Sequence, residues 1–234
     1  MLLGPDSLSE LQRSRVAVFG LGGVGSWCAE ALCRSGVGHL TLIDEDTVSV
    51  TNINRQAEAT ELTIGMPKTE ALGQRLLSVN PALDLTLLQS RYEASVRDEF
   101  LAPDRYDYIV DAIDLVSCKL DLIQSSMEMG LPIISALGTG NKADATQLTI
   151  TDISKTSGCP FARVIRKELK ARGIIHHTVV YSPEKAMTPL ITEEPPPGRR
   201  SVPGSLMWVP ASAGLLLAQH VVLSLCGEIH RQSE

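Results

Sequence analysis

Read for polarity alone, the first part of the chain alternates short apolar runs with longer segments whose apolar positions recur at helical spacing. Residues 15–20, Arg-Val-Ala-Val-Phe-Gly, are apolar after the first and stop in glycine, which predicts a buried parallel strand. A helix is predicted over 23–36, with Trp27, Ala31 and Leu32 at helical spacing, and a second strand over 39–43 that stops at Asp44. A polar segment, 44–65, leads to a predicted helix over 67–79 and an alternating strand over 83–88. An apolar run over 106–113 predicts a buried strand ending in acids, followed by a helix over 116–129 and a strand over 132–137. This alternation predicts an α/β fold: a Rossmann-like, doubly wound, mostly parallel sheet with helices on both faces.

Past Gly138 the pattern changes. Strands are predicted over 147–153 and 177–182, on either side of a basic helix over 160–172. Residues 183–204 hold Pro183, Pro189, Pro195, Pro196, Pro197 and Pro203, and read as a mobile loop. A C-terminal strand over 206–209 and a last helix follow. The apolar stretch 209–226 is broken by Ser212, Gln219, His220 and Ser224, so a buried helix is expected rather than a bilayer span. With no internal repeat and no second core, residues 1–234 read as one domain. The N-terminus shows no basic region ahead of an apolar run, so neither a signal peptide nor a membrane partner is expected.

Composition narrows the function classes. A net charge of −6 and 4% aromatics argue against a general nucleic-acid coat or a stacking surface for single strands, while leaving room for a local basic patch. The five cysteines, at 28, 33, 118, 159 and 226, form no Cys-x-x-Cys pair. They suggest neither a disulfide framework nor a zinc site, and fit a reducing cytoplasm. The five histidines show no ligand spacing, and the adjacent His176 and His177 would point to opposite faces.

The chemistry concentrates in the first half. Gly20-Leu-Gly22-Gly23-Val-Gly25 sits where a strand turns into a helix, so backbone N–H groups and a helix N-terminus can meet a phosphate. Asp44, closing the next strand, is placed to accept a ribose hydroxyl. A dinucleotide needs little beyond that acid, yet Asp46, Asn52, Asn54, Arg55 and Gln56 follow directly, and then Lys68. Cations at these positions suit the larger charge of a triphosphate. Asp111 and Asp114 fall at the ligand-binding end of a later strand, where a carboxylate can hold Mg²⁺ or cap the next helix.

The ordered set Gly-x-Gly-Gly-x-Gly, Ile-Asp-Glu-Asp-x-Val-x-x-x-Asn-x-x-Arg-Gln, Gly-x-Pro-Lys and Asp-Ala-Ile-Asp resembles the ATP-dependent activating enzymes of the ThiF/MoeB and ubiquitin-activating superfamily, from about Ser14 to the final helix. Those enzymes adenylate a carboxylate and release pyrophosphate. The resemblance implies ATP and Mg²⁺ as cofactors, with Gly20, Gly22, Gly23 and Gly25 at the phosphates and Asp44 at the ribose. Asp46, Asn52, Arg55, Gln56, Lys68 and Asp111 complete the nucleotide set. Arg55, Lys68 and Asp114 carry the catalysis, and Asp114 is the metal ligand. It also implies a homodimer.

Within the superfamily, the sulfur-carrier branch has two Cys-x-x-Cys zinc pairs and a cysteine in the mobile loop, and both are missing here. Instead Asp152-Ile-Ser-Lys-Thr156, the basic helix from Arg163 to Lys170 and Val179-Val-Tyr-Ser-Pro-Glu184 resemble the tRNA threonylcarbamoyladenosine dehydratases. These enzymes use ATP to close the threonyl carboxylate of that nucleoside, next to the anticodon, into a ring. Arg163, Arg166, Lys167 and Lys170 are then the expected tRNA contacts, with Arg199 and Arg200 of the loop as additions. Sulfur-relay proteins are further candidate partners. The alternatives are an adenylyltransferase acting on a ubiquitin-like sulfur carrier, a nucleotide-binding module without catalysis, and a nicotinamide dehydrogenase. The last does not account for Arg55, Lys68 and Asp114. The arginine-bearing segment usual ahead of a Leu-Leu-Gly stretch is missing, since Met1 directly precedes that stretch. Arg13 or Arg15 substitutes for it, or the start is truncated, or ATP turnover is impaired.

Overall fold

In the computed structural model, residues 2–188 and 204–227 are described. They form, in chain order, α1 (Gly4–Arg13), β1 (Arg15–Phe19), α2 (Gly25–Ser35), β2 (His39–Ile43), α3 (Lys68–Val79), β3 (Asp84–Leu88), α4 (Arg97–Phe100), β4 (Tyr108–Asp111), α5 (Val116–Glu128), β5 (Ile133–Ala136), β6 (Thr149–Asp152), α6 (Pro160–Ala171), β7 (Thr178–Tyr181) and α7 (Trp208–Leu225). The strands make one sheet in the order β3-β2-β1-β4-β5-β7-β6. All neighbours are parallel except β6, which runs antiparallel to β7 at the edge.

The period-two alternation of each strand divides the core between the two faces of the sheet. Val16 and Val18 of β1 point to one side, with Leu40, Leu42 and Val110, and meet Cys28 and Leu32 of α2, Leu72 and Leu76 of α3, and Leu217 and Val221 of α7. Ala17 and Phe19 point to the other, with Ile43, Ile109 and Ile133, and meet Phe100 of α4, Leu122 and Ile123 of α5, and Ile165 and Leu169 of α6. Each of these large side chains, fully buried, contributes about 1.5–3 kcal/mol. Strands coated on both faces explain why β1 and β4 read as unbroken apolar runs.

Three elements differ from expectation, one of them the four-residue α4, which the sequence pattern did not predict. The strand expected over 206–209 is absent: residues 204–206 are irregular, and Val209 already belongs to α7. Pro210 misleads there, because the third position of a helix has no intrahelical N–H partner to lose. Helix α1 was not anticipated, since only Leu11 of its ten residues is buried. Helix α7 has the length and apolarity of a membrane span, yet half of it is buried in the fold, against α2 and the sheet. The Pro-rich loop is described only at its ends. Met187 N donates to Asn141 O at 2.7 Å, and Gly204 N to Asn141 Oδ1 at 2.6 Å, so both ends meet the turn after β5. Arg199, Arg200 and the prolines from Pro189 to Pro203 lie outside the described residues.

Candidate active site

Strand order reverses between β1 and β4, and ligands of open α/β sheets bind beyond the C-terminal ends of the strands at such a point. The glycine segment leaves β1 there. Gly20 has φ of +86°, and a Cβ on it would stand 2.8 Å from Ala112 O, beyond β4. At Gly25 a Cβ would stand 1.8 Å from Gly20 O, so the turn closes only with hydrogen at both positions. The first turn of α2 opens directly behind this loop.

Asp44 ties the loop to the end of β2. Its Oδ2 accepts from Leu21 N at 2.6 Å and its Oδ1 from Asp46 N at 2.9 Å. Burial raises its pKa, opposed by the nearby Lys68 ammonium and by these two N–H groups. Lys68, the first residue of α3, is buried, and its Nζ lies 2.8 Å from Asp46 Oδ2 and 3.8 Å from Asp44 Oδ1. A buried ammonium between two acids is a cation held ready for phosphate at low side-chain entropy.

Arg55 closes the other side. Its Cγ is the nearest atom to a Cβ built on Gly23, at 3.2 Å. Its guanidinium is held by Thr51 O at 2.6 Å and Asn54 Oδ1 at 2.9 Å. Buried Gln56 turns its amide nitrogen toward Gly22, and its Oε1 has no partner. Asn52 is buried too, but its Oδ1 caps a short turn by accepting from Ser49 N at 3.0 Å. Asn54 Nδ2 donates to Ser205 O at 3.2 Å, which brings the end of the Pro-rich loop to the rim beside Arg55.

The two acids after β4 part company. Asp114 is exposed just ahead of α5, on the ligand-binding edge. Asp111 has 0% exposure, and its carboxylate is taken by Lys119 Nζ at 2.6 Å and Ile113 N at 3.1 Å. A carboxylate without accessible surface cannot touch a nucleotide, so the expectation for Asp111 is corrected: it anchors the end of β4. Lys119, which the sequence reading passed over, is the partner that decides this. Neither N-terminal arginine reaches this edge within the chain. Arg13 bonds Ser9 and Glu10 of its own helix, and Arg15 pairs with Asp107 at the opposite end of β1.

On α6, Arg163, Lys167 and Lys170 are exposed at positions i, i+4 and i+7, one face of the helix. Arg166 does not join them: its Nη1 donates to Thr156 O and Oγ1, both at 2.6 Å, and so holds the segment leading into α6. Among the described residues, no His, Cys, Asp and Glu cluster has metal-site geometry. All five cysteines are unpaired, and burial raises the Cys118 thiol.

The sequence profile of the ThiF family matches residues 1–234. The chain is 37% identical to the tRNA threonylcarbamoyladenosine dehydratase of Bacillus subtilis (strain 168), over 98% of this chain and 93% of that protein. The crystal structure of E. coli tRNA N6-threonylcarbamoyladenosine dehydratase in complex with ATP superimposes with a TM-score of 0.87 at 32% identity, covering 99% of this chain and 93% of that one. Identity to the molybdopterin-synthase adenylyltransferase of Escherichia coli (strain K12) is 31%, over 63% of this chain and 58% of that protein.

Proposed function

The chain belongs to the ThiF family, and on that premise we propose that it is an ATP-dependent tRNA-modifying dehydratase. It adenylates the threonyl carboxylate of threonylcarbamoyladenosine, next to the anticodon, and promotes its cyclisation. The observation that carries this reading is Arg55 and Gln56 against the glycine loop, with Lys68 joined to it through Asp44, at the strand-order reversal whose edge also bears exposed Asp114. The dehydratase relative, alike over nearly its whole length, supports it.

A carboxylate oxygen of the substrate attacks the α-phosphorus of ATP, and pyrophosphate leaves with the bridging electrons. The mixed anhydride is then attacked by a nitrogen of the same side chain. The C–O bond to AMP breaks, the nitrogen loses its proton, and the nucleoside has lost one water. An attached nucleophile acts at very high effective molarity, so no enzyme thiol is needed. The protein contributes placement and charge. Asp44 orients the ribose, the loop N–H groups and Gln56 hold phosphate oxygens, and Arg55 and Lys68 take up the charge of the departing pyrophosphate. Asp114 would hold Mg²⁺. One exposed carboxylate suits an ion that keeps most of its ligands as water and phosphate oxygens, and the ion supplies charge neutralisation when bound.

The exposed face of α6, with Arg163, Lys167 and Lys170, meets tRNA phosphates. We place the protein in a reducing cytoplasm as a homodimer of single-domain subunits, with sulfur-relay proteins as further candidate partners. The test is pyrophosphate release with ATP and Mg²⁺ in three arms: modified tRNA, a ubiquitin-like carrier protein, or neither. Release with tRNA alone supports the reading. Release with the carrier alone moves the chain to the sulfur-carrier branch.

A further inference from the structure

Behind the phosphate site stands a carboxyl that no motif accounts for. Glu58 is 2% exposed, and neither of its side-chain oxygens has a well-formed hydrogen bond: its own backbone N–H and the Ser26 hydroxyl stand nearest, off line. The groups that face it are Ser26 on α2, Asp44 after β2, Lys68 on α3 and Arg55 in its own segment. Lys68, Arg55 and Ser26 direct their hydrogen bonds to other groups. Lys68 is bound to Asp46, and the Arg55 guanidinium to Thr51 and Asn54. The Ser26 hydroxyl gives its proton to Gly22 O at 2.8 Å, while its oxygen accepts from Ala57 N at 3.1 Å. A hydroxyl oxygen has one lone pair left after that, and Glu58 can use it only by bringing a proton of its own.

We propose that Glu58 is a proton-linked positioning residue of the phosphate site: protonated, it donates to Ser26 and through Ser26 supports the Gly22 carbonyl of the glycine loop; ionised, it opposes the incoming triphosphate. The proposal rests on the reading of this loop as an ATP site. Its burial supports this. A buried carboxylate without a well-formed hydrogen bond is costly, and that same burial raises the Glu58 carboxyl to about 7, against its own backbone N–H, Lys68 and Ser26. A triphosphate arriving beside it raises that value further, so nucleotide and proton each favour the binding of the other. The other acids facing this point do not duplicate the role: Asp44 is satisfied by two backbone N–H groups, and Asp46 by Lys68.

Below pH 7 the proton is already present and ATP affinity is flat in pH. Above it each pH unit costs up to about tenfold in affinity, and binding takes up a proton. Calorimetric titration of the full chain with ATP and excess Mg²⁺ at pH 6, 7 and 8, in buffers of different ionisation enthalpy, measures both quantities. Wild type is expected to take up about half a proton per ATP near pH 7. Glu58→Gln, whose amide can donate to Ser26 without titrating, is expected to bind ATP with a flat pH profile and without that uptake. The nucleotide's own ionisation is common to both proteins and cancels in the comparison. Equal pH slopes in the two proteins overturn the proposal, as does a wild type without proton uptake, a measurement that needs no variant. ATP binding with equal slopes overturns this proposal alone, whereas no ATP binding at any pH overturns the ATP reading with it.

Discussion

Lys119→Met tests whether Asp111 is a structural anchor rather than a nucleotide ligand. The pair is fully buried, with Nζ and Oδ2 2.6 Å apart and 0% exposure on both sides. Burial lowers the Lys119 pKa while the Asp111 carboxylate supports its charge, so each charge is tolerated only because the other is present. Removing the ammonium leaves a carboxylate in the core with one backbone donor, Ile113 N. Breaking such a pair costs about 3–5 kcal/mol. At about 2–4 °C per kcal/mol for a domain of this size, the melting temperature falls by about 6–20 °C. The double variant Asp111→Leu/Lys119→Met removes both charges and is expected to recover most of that loss, short of the Ile113 N–H left unpaired, about 1–3 kcal/mol. Thermal and urea unfolding of the wild type, both single variants and the double variant close the cycle. ATP added to folded Asp111→Asn should raise its melting temperature as much as it does that of wild type. A Lys119→Met shift under about 2 °C, or Asp111→Asn that is folded yet no longer stabilised by ATP, would refute the anchor and restore Asp111 to the nucleotide set.

Asp114→Ala should keep the wild-type melting curve and lose Mg²⁺-dependent pyrophosphate release; unchanged release means the metal is held elsewhere. Joint charge reversal at Arg163, Lys167 and Lys170 should weaken tRNA binding by several orders of magnitude at low salt and reduce its salt slope by about three, one per phosphate contact. Arg166 is left out because its reversal would damage the Thr156 contact, and an unchanged salt slope would return this face to a solvated helix surface. Cys118→Ser and Cys159→Ser, singly and together, should leave cyclisation within about tenfold, or about 1.4 kcal/mol of barrier. A stable variant down a thousandfold would instead put a thiol on the path.

What could be read from the chain, and what could not, divides along a physical line. The β1–loop–α2 unit was legible because the apolar run over 16–19, the glycines and a helical pattern are local signals, and Asp44 followed from the end of the next apolar run. Helix α1 was not, because it is short, opens on Gly4-Pro5 and buries only Leu11, although its apolar and polar residues do segregate by face. The end of the Pro-rich loop was misread because Pro210 marks a break within a strand but is harmless in a first helical turn. Asp111 and Asp114 look equivalent at the end of an apolar run. What separates them is Lys119, which only the packing of α5 brings to the first. Arg166 lies on the basic helix but is turned to Thr156, a contact invisible to helical spacing. Glu58 sits between two alanines, two residues past the Arg55-Gln56 motif but outside it, and its burial arises only in the folded chain.

The central claim is that ATP is spent to take one water from the threonylcarbamoyl group of a tRNA nucleoside. The most direct measurement is the mass of that nucleoside, isolated from tRNA after incubation with the protein, Mg²⁺ and ATP, and compared with incubations lacking ATP or using Lys68→Ala. The account predicts that the nucleoside loses the mass of one water with ATP and wild-type protein, in step with one AMP and one pyrophosphate, and is unchanged in both controls. A nucleoside of unchanged mass in the presence of ATP turnover, or dehydration without ATP, would contradict it.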